Sequence, residues 1–506
     1  MELLSPAGNV DKLKYCYTYG ADAAYIGLKN FSLRVKADNF YDDEYKKVAE
    51  LKKQFPGRRL HCALNIAFHN DEIERLKENI PYFKLYPIDA FIVQDLGIVP
   101  LLQKEFPNAE LHLSTQASCM NAEAVKMYKS IGFKRVVMGR EASLKEVAEI
   151  KNAVPDMEIE CFVHGAMCIA YSGRCLMSAY LNGRSAQSGF CSHTCRWDYD
   201  VLSSNPADCI KNQNPETENS LANSENFGKK VAQEGNLVLR EHKRPDEYFP
   251  VYEGENFTAV LSSKDLCMIE HLEEFKKAGV DSLKIEGRMK SVYYVAMVTR
   301  AYRKALDTLE GKITAEEAKP FVDELYKASH RPFTTAFYFN KAEADKTVSG
   351  ASDSPYDLAA EIGKELAPKK EDEILERAAL NKKNQDDEYN SLCEQAKRAW
   401  DERVKNSPDK HLPFAQKIDG WKMYELVAMN MIDKTSELEI VSPDICKKPL
   451  EQKDFVLINP HTGELYNWVC DGHECLIYTK IPLEEGALLR SKDSGFVEGK
   501  IRDPGR

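Results

Sequence analysis

The sequence predicts an α/β protein with a (β/α)8 TIM-like barrel, a long cysteine-bearing insertion between barrel strands 7 and 8, and a small C-terminal all-β domain. Three observations predict this fold. Eight short apolar runs alternate with amphipathic stretches, polar residues follow most of the runs, and more than a hundred residues separate the last two runs. Alternating strands and helices indicate parallel strands covered by helices.

The apolar runs recur mostly in units of about 25–35 residues, which favours a closed barrel over an open sheet. They are Glu2–Ser5, Ala23–Gly27, Leu60–Asn65, Ala90–Gln94, Glu110–Ser114, Arg135–Gly139, Glu158–Val163 and Ser282–Glu286. Helix signals lie between them. Asn9 and Asn121 are typical N-caps, and Ser143 with Glu146 forms a capping box.

Changes of composition divide the chain into three parts. Residues 1–345 form the barrel, and residues 165–280 within them are far too long for an ordinary loop. The middle of this insertion, 203–236, is polar and poor in aromatic residues, which is typical of a solvated loop. Residues 346–415 form a charged, helical linker, and 416–506 alternate in short strands that predict a small β-barrel-like domain.

Polar residues follow the predicted strands at the end where a barrel carries its active site. In chain order they are Ser5, Asn65, Gln94 with Asp95, Ser114 with Gln116, Arg140, His164, and Glu286 with Arg288. Any one of them is also typical of a turn or a cap. Their repetition at one end of the strands predicts a functional face.

Composition and charge exclude several classes of protein. Hydrophobic residues make up 43% and charged residues 29% of the 506 residues, as in a soluble globular protein, and no apolar run reaches the length of a membrane span. The first residues lack the features of a signal peptide, so we expect a cytoplasmic protein. A net charge of −11 argues against a generic nucleic-acid binder, so a nucleic-acid substrate requires a local cluster of basic residues.

Four cysteines, Cys168, Cys175, Cys191 and Cys195, begin where the seventh strand should end, with the spacing C-x6-C-x15-C-x3-C. In a long chain of cytosolic character, this pattern favours metal or redox chemistry over disulfides. Four thiolates suit tetrahedral zinc or an iron–sulfur cluster. Only the last pair has the spacing usual for structural zinc, so iron–sulfur is favoured. Zinc remains an alternative, as does a set in which two of the four are buried bystanders.

Two further cysteines compete as ligands. We expect Cys161 to pack against helices, and Cys267 to begin a helix and serve as a reserve ligand. The sequence contains no HExxH, GxSxG, GxGxxG or P-loop motif, and no CxxxCxxC run of radical S-adenosylmethionine enzymes. The commonest chemistries of barrel enzymes are therefore excluded.

The segment ECFVHGAMCIAYSGRCLMS (160–178) resembles the signature of the collagenase-like peptidases, peptidase family U32. Four further blocks agree with this resemblance: MELLSPAGNVDKL at the start, HLSTQAS at 112–118, SLKIEGRMKSVYYV at 282–295 and SHRPFTTAFYF at 329–339. The resemblance covers residues 1–345 strongly and the C-terminal region weakly. Cys119 departs from the pattern, in which a small polar residue is usual.

Better-understood members of this family resemble RNA- and quinone-hydroxylation factors that carry a [4Fe–4S] cluster and work without molecular oxygen. The CxxxC pair followed by RWDY, the KIEGR block and the C-terminal β domain resemble the tRNA 5-hydroxyuridine branch. This resemblance implies a cluster on Cys168, Cys175, Cys191 and Cys195, hydroxylation of the wobble uridine in the tRNA anticodon loop, and prephenate as co-substrate. The alternatives are a peptidase with a free thiol beside His164 or His193, another RNA or quinone hydroxylation factor, and a non-catalytic RNA-binding or scaffold protein.

The remaining site residues are assigned from their chemistry. His164 is the candidate acid–base catalyst, with a pKa near neutrality, or else a structural histidine. Lys284, Glu286 and Arg288 alternate and so point to one face, where they orient a small dicarboxylate or form a structural ion-pair cluster. The candidate substrate-binding residues and the cations of a local positive patch are Asn65, Gln116, Arg140, Arg174, Arg184 and Arg196. The sequence leaves the formation of a homo-oligomer open.

Overall fold

A computed structural model describes most of the chain. The described residues are 1–28, 31–32, 39–41, 43–196, 199–203, 237–241, 248–250, 253–254, 257–258, 263–339, 354–406, 413–433 and 435–492. The predicted solvated loop at 203–236 lies, apart from its first residue, outside them. Among the helices described, none has the length and apolar character needed to cross a membrane.

Eight parallel strands close into a barrel. They are β1 (Glu2–Pro6), β2 (Ala23–Ile26), β3 (Arg59–Leu64), β4 (Ala90–Val93), β5 (Glu110–Leu113), β6 (Arg135–Val137), β7 (Glu158–Ala166) and β8 (Ser282–Ile285). Each strand pairs with the next, and β8 pairs with both β7 and β1, which closes the sheet. The predicted (β/α)8 barrel and its eight strands are confirmed.

Helices cover the outside of the barrel, and their caps follow the sequence. The helices of this part of the chain are Val10–Thr18, Glu44–Gln54, Asn70–Phe83, Val99–Glu105, Ala122–Ser130, Leu144–Ala153, Leu272–Lys277, Val292–Leu309 and Ala315–Leu325. Asn9 accepts from the Lys12 amide at 2.9 Å, and the Ser143–Glu146 capping box forms in both directions. These predicted helix starts are confirmed because each cap satisfies an amide that the first turn leaves open.

The insertion after β7 adds short elements to the barrel. They are the helix Met177–Asn182, the turn Thr194–Arg196, and the strands Tyr199–Ser203, Leu237–Glu241, Tyr248–Pro250, Glu253–Gly254, Phe257–Thr258 and Asp265–Cys267. The last of these strands runs antiparallel to β7 and also pairs with Phe333–Thr334. The prediction that Cys267 begins a helix is therefore wrong, because Cys267 ends a strand. Cys161 is fully buried in the core around the barrel, so its predicted packing against the helices is confirmed.

The C-terminal part is an antiparallel sheet of seven strands. They are Tyr356–Glu365, Lys422–Ala428, Leu438–Val441, Lys448–Leu450, Phe455–Ile458, Glu474–Thr479 and Leu488–Lys492. The helices Pro368–Ser391 and Glu394–Asn406 occupy the charged segment. The strand Tyr356–Glu365 pairs with both Lys422–Ala428 and Leu488–Lys492. The sheet thus begins before the predicted boundary at residue 416, because the charged helices interrupt it.

Two buried arginines join the C-terminal sheet to the barrel. Arg490 is fully buried and donates to the Tyr293 hydroxyl at 2.8 Å, and it forms ion pairs with Glu324 and Glu439. Arg300, on the helix Val292–Leu309, donates to the carbonyl oxygens of Ser442 and Ile445 at 2.5 and 2.9 Å. The helix that follows β8 is therefore held on its outer side by the C-terminal sheet.

Candidate active site

A small inner chamber of about 60 Å³ lies at the C-terminal end of the barrel strands. Seven residues predicted from the sequence line it: Asn65, Ser114, Gln116, Arg140, Lys284, Glu286 and Arg288. Lys284, Glu286 and Arg288 thus share one face, as their alternation along β8 and its end predicted.

A larger outer cavity of about 340 Å³ lies above the chamber. All four predicted cysteines, Cys168, Cys175, Cys191 and Cys195, line it. Gln116, Arg140 and Glu286 line both spaces, so the cavities adjoin. The fold therefore brings the cysteines of the insertion and the polar strand ends of the barrel to one site.

Beneath the chamber, Lys284 rests on a buried ionic layer. Its Nζ lies 2.7 Å from a carboxylate oxygen of Glu160, and Arg135 lies 2.9 Å from the other oxygen. Burial alone would raise the pKa of Glu160, but Lys284 and Arg135 lower it to about 2. Lys284 also lies over the Tyr25 ring, 4.7 Å from its centroid. Lys284 thus belongs both to the chamber lining and to an ion-pair cluster inside the barrel, and sequence reasoning missed Glu160 and Arg135.

Two histidines complete this layer. The rings of His61 and His112 meet edge to face at 4.8 Å, and both side chains are fully buried. Burial lowers the pKa of each, so both rings are neutral at pH 7. Among the described residues, neither ring nitrogen of His61 has a hydrogen-bond partner. TIM barrels usually fill this space with branched apolar side chains, so the polar layer is a distinctive feature of this chain.

Arg140 and Arg288 are fixed by different means. The guanidinium of Arg140 stacks 4.0 Å from the Phe162 ring, donates to the Ala166 carbonyl at 2.5 Å and lies 3.4 Å from Glu286. Arg288 is buried and donates to Ser32 at 3.0 Å and to Asn39. Three cations, Arg140, Arg288 and Lys284, therefore face a chamber whose lining holds one carboxylate, Glu286.

The four cysteines line the cavity without being drawn together. Burial raises the pKa of Cys175, and the neighbouring Cys168 and Cys191 raise it further. Cys175 therefore lies near enough to Cys168 and Cys191 for a negative charge on either to disfavour its own ionisation. In the described part of the chain, no three His, Cys, Asp or Glu side chains lie close enough to hold a metal ion. Four thiols on one cavity match an iron–sulfur cluster in ligand type and number, and binding requires them to move closer.

Sequence reasoning missed Glu141 and Gln187, which also line the outer cavity. Glu141 accepts from the Ser172 amide at 2.8 Å, which ties the cysteine loop to the end of β6. Gln187 donates from Nε2 to the Gly173 carbonyl at 2.9 Å, and its Oε1 has no partner among the described residues. No motif marks either residue, because the folded loop alone brings them to the cavity.

Gly173 seats the cysteine loop on the barrel. Its φ is +73°, and an added Cβ would lie 1.9 Å from the carbonyl oxygen of Gln116. Gly183 has a similar φ of +70° with open space around its Cβ position. We expect Gly183→Ala to cost about 1 kcal/mol for the left-handed backbone, and Gly173→Ala to cost about 1–3 kcal/mol more because the loop must move. Urea unfolding measures both values, and equal losses would contradict the close approach.

His164 lies away from both cavities. The pairing of β7 with β8 shifts register after Lys284, which faces Phe162, so that Ile285 faces His164. This irregularity turns His164 out of the barrel, where it contacts the rings of Tyr294, Tyr302 and Phe333. Burial lowers its pKa to about 3, so the predicted pKa near neutrality is wrong. The position of His164 fits the alternative role of a structural histidine, and the Tyr302 hydroxyl lies 3.4 Å from its Nδ1.

His164 makes the stability of the protein pH-dependent. The unfolded chain binds a proton at this residue below about pH 6.5, whereas the folded chain does so only near pH 3. Above pH 6.5 this difference has no effect on stability. Between pH 6.5 and pH 5 the proton binds only to the unfolded chain, so the free energy of unfolding falls by about 2 kcal/mol. We expect His164→Phe to lose this dependence in urea unfolding at pH 7 and pH 5. His61 and His112 contribute equally in both proteins, so an unchanged difference would contradict the assignment.

Two of the predicted cations of the insertion, Arg174 and Arg184, are not among the described residues that line the cavities. Arg174 is exposed and donates to the Ser118 hydroxyl at 3.2 Å, and Arg184 is exposed. The side chain of Arg196 is outside the described part of the structure. His193, the second histidine of the peptidase alternative, lines the outer cavity beside the cysteines.

The family model described as peptidase family U32 matches residues 8–348, which span the barrel and its insertion. A tRNA hydroxylation protein P of Escherichia coli (strain K12) is 40% identical over 342 residues, which cover 66% of this chain and 74% of the relative. The 23S rRNA 5-hydroxycytidine C2501 synthase of the same organism is 32% identical over 370 residues, 72% of this chain and 48% of its own. An uncharacterized protease of Methanocaldococcus jannaschii is 33% identical over 343 residues, covering 67% and 73%. As its motifs predicted, the chain belongs to peptidase family U32.

Proposed function

We propose that this protein hydroxylates tRNA, converting the wobble uridine to 5-hydroxyuridine without molecular oxygen. In this proposal Cys168, Cys175, Cys191 and Cys195 hold a [4Fe–4S] cluster, and prephenate is the co-substrate. The observation that carries the proposal is the meeting of four thiols with a cationic chamber at the functional end of a barrel. The names of the relatives support RNA hydroxylation as the class of reaction.

The inner chamber suits one carboxylate group of a small co-substrate. Glu286 and the Glu160 beneath Lys284 offset two of the three cations Lys284, Arg140 and Arg288, so a negative group is still favoured. At about 60 Å³, the chamber is much smaller than the adjoining outer cavity of about 340 Å³. In this proposal the rest of the co-substrate extends into the outer cavity, towards the cysteines.

The outer cavity suits a nucleobase. Its volume of about 340 Å³ lies within the range of small-molecule sites. A wobble base lies in a single-stranded loop, so moving it into a pocket costs little.

The residues have distinct tasks in this proposal. A bound cluster supplies a redox or Lewis-acid centre. Lys284 and Arg288 hold the carboxylate, and Arg140, fixed on Phe162, separates the co-substrate from the base. Glu286 borders both cavities and is the candidate to hold or accept a proton between co-substrate and base. His164, buried behind β7, has no direct part in these tasks.

Mass spectrometry of tRNA nucleosides from a deletion strain tests the function. We expect 5-hydroxyuridine and its derivatives to disappear and to return when the wild-type gene is restored. Unchanged levels would reject the tRNA assignment. Protein purified without oxygen should be brown, with absorbance near 400 nm and about four irons per chain. Colourless, iron-free protein that cleaves peptides would favour the peptidase alternative.

A further inference from the structure

The cysteine segment differs sharply in charge from the rest of the chain. The whole protein has 80 Asp and Glu among 506 residues, yet none occurs from Cys161 to Trp197. The same segment contains Arg174, Arg184 and Arg196. The chain as a whole has a net charge of −11, so it repels anions in general. A segment with cations and no acids within such a chain favours an anionic partner at that segment.

Large apolar side chains stand exposed on the same segment. The exposed fraction is 50% for Tyr171, 72% for Leu176, 88% for Tyr180 and 47% for Phe190. Tyr171 lines the outer cavity, Leu176 and Phe190 each adjoin a cysteine of the cavity, and Tyr180 lies on the short helix whose first residues line it. Exposed aromatic rings gathered around one opening are typical of an interaction site.

This rim is held in place before any partner binds. The Ser172 amide donates to Glu141 at 2.8 Å, and Arg174 Nε donates to Ser118 at 3.2 Å. The hydroxyls of Ser178 and Ser192 lie 2.8 Å apart and tie the short helix to the second half of the segment. Because these bonds fix the loop, little conformational entropy is lost when a partner contacts the rings.

We propose that this rim, Tyr171, Leu176, Tyr180 and Phe190, is a platform for the unpaired bases on either side of the target nucleotide. The three aromatic rings stack on the bases, Leu176 packs beside them, and Arg174 and Arg184 contact the phosphates. The proposal rests on the proposed function, since it takes single-stranded RNA as the partner. Separate aromatic rings interspersed with arginines, without acids, match the alternation of bases and phosphates in a single strand. A protein partner would more typically need a contiguous apolar patch bounded by charges of both signs.

Binding of a synthetic anticodon stem-loop with an unmodified wobble uridine, measured by fluorescence anisotropy on the full-length protein, tests the platform. Tyr180→Ser should bind about tenfold more weakly, because one stacked base is lost, while Tyr180→Phe keeps the ring and should bind like wild type. Arg184→Ser should reduce the slope of log affinity against log salt by about 0.7, and Tyr180→Ser should leave that slope unchanged. Met127→Ala, at a residue 61% exposed on another helix, is the control for loss of an exposed apolar side chain.

The outcomes separate the platform from the proposed function. If wild type binds the stem-loop and Tyr180→Ser binds equally well, the platform is overturned and the function stands. If wild type does not bind the stem-loop at all, the RNA function itself fails. Equal binding of a fully paired RNA duplex of the same length would also overturn the platform, because a duplex offers no unpaired bases to stack.

Discussion

Cys175→Ser should abolish iron binding and tRNA hydroxylation together. Cys175 interacts electrostatically with both Cys168 and Cys191, and all three line the cavity with Cys195. A serine oxygen is a harder ligand than thiolate and matches iron–sulfur clusters poorly. The loss of activity should exceed the roughly 10- to 100-fold that removal of an outer-shell partner costs. One anaerobic preparation of the protein is used to measure iron and sulfide per chain and absorbance near 400 nm. The same preparation is then incubated with tRNA, and the nucleosides of that tRNA are analysed by mass spectrometry.

Two other cysteines are matched controls for this experiment. Cys393→Ser changes an exposed thiol between the two charged helices and should keep iron and activity. Cys267→Ser examines the reserve ligand, which lies outside the cavity lining, 4.0 Å from the Tyr302 hydroxyl. Full iron content in Cys175→Ser, or its loss in Cys267→Ser, would contradict the proposed ligand set.

Arg490→Met should lower the free energy of unfolding by about 3–5 kcal/mol, because Glu439 loses its buried partner and Glu324 keeps only the partly exposed Lys327. The Arg490 guanidinium also stacks 3.8 Å from the Tyr356 ring, so packing is lost along with charge. The change acts between the barrel helices and the C-terminal sheet. Hydrogen exchange should therefore rise mainly in the strands Tyr356–Glu365 and Leu488–Lys492.

Lys492→Met, on the same strand, is the control for Arg490→Met. Lys492 pairs with Glu437, and both side chains are mostly exposed, at 61% and 73%. An exposed pair contributes about 1 kcal/mol or less, so this variant should unfold almost like wild type. Equal urea midpoints for the two variants would contradict the role of the buried network.

The barrel could be predicted because each of its strands is encoded by a local sequence pattern. Ala90–Val93, for example, is an apolar run buried throughout, and polar residues follow it. The start of the C-terminal sheet could not be predicted in this way. Tyr356–Glu365 finds its partners at Lys422–Ala428 and Leu488–Lys492, across two charged helices, and no local pattern encodes a pairing at such a distance.

The candidate site could be predicted in part for the same reason. Alternation placed Lys284 correctly, because β8 stays regular up to that residue, and Arg288, three residues beyond the end of β8, lines the same chamber. It failed for His164, because the shift of register between β7 and β8 reverses the direction of that side chain. The partners of Arg288, Ser32 and Asn39, lie about 250 positions away in the sequence, and Glu160 is hidden inside an apolar run. Only the fold brings such residues together.

The buried ionic layer under Lys284 has a consequence for the order of events. Glu160, Arg135, His61 and His112 are almost inaccessible to solvent, so the chamber is closed on that side, whereas Gln116, Arg140 and Glu286 join it to the outer cavity. A nucleobase in the outer cavity, as proposed above, would lie across this opening. The proposed co-substrate should then enter before the RNA binds, so excess RNA added first should slow turnover.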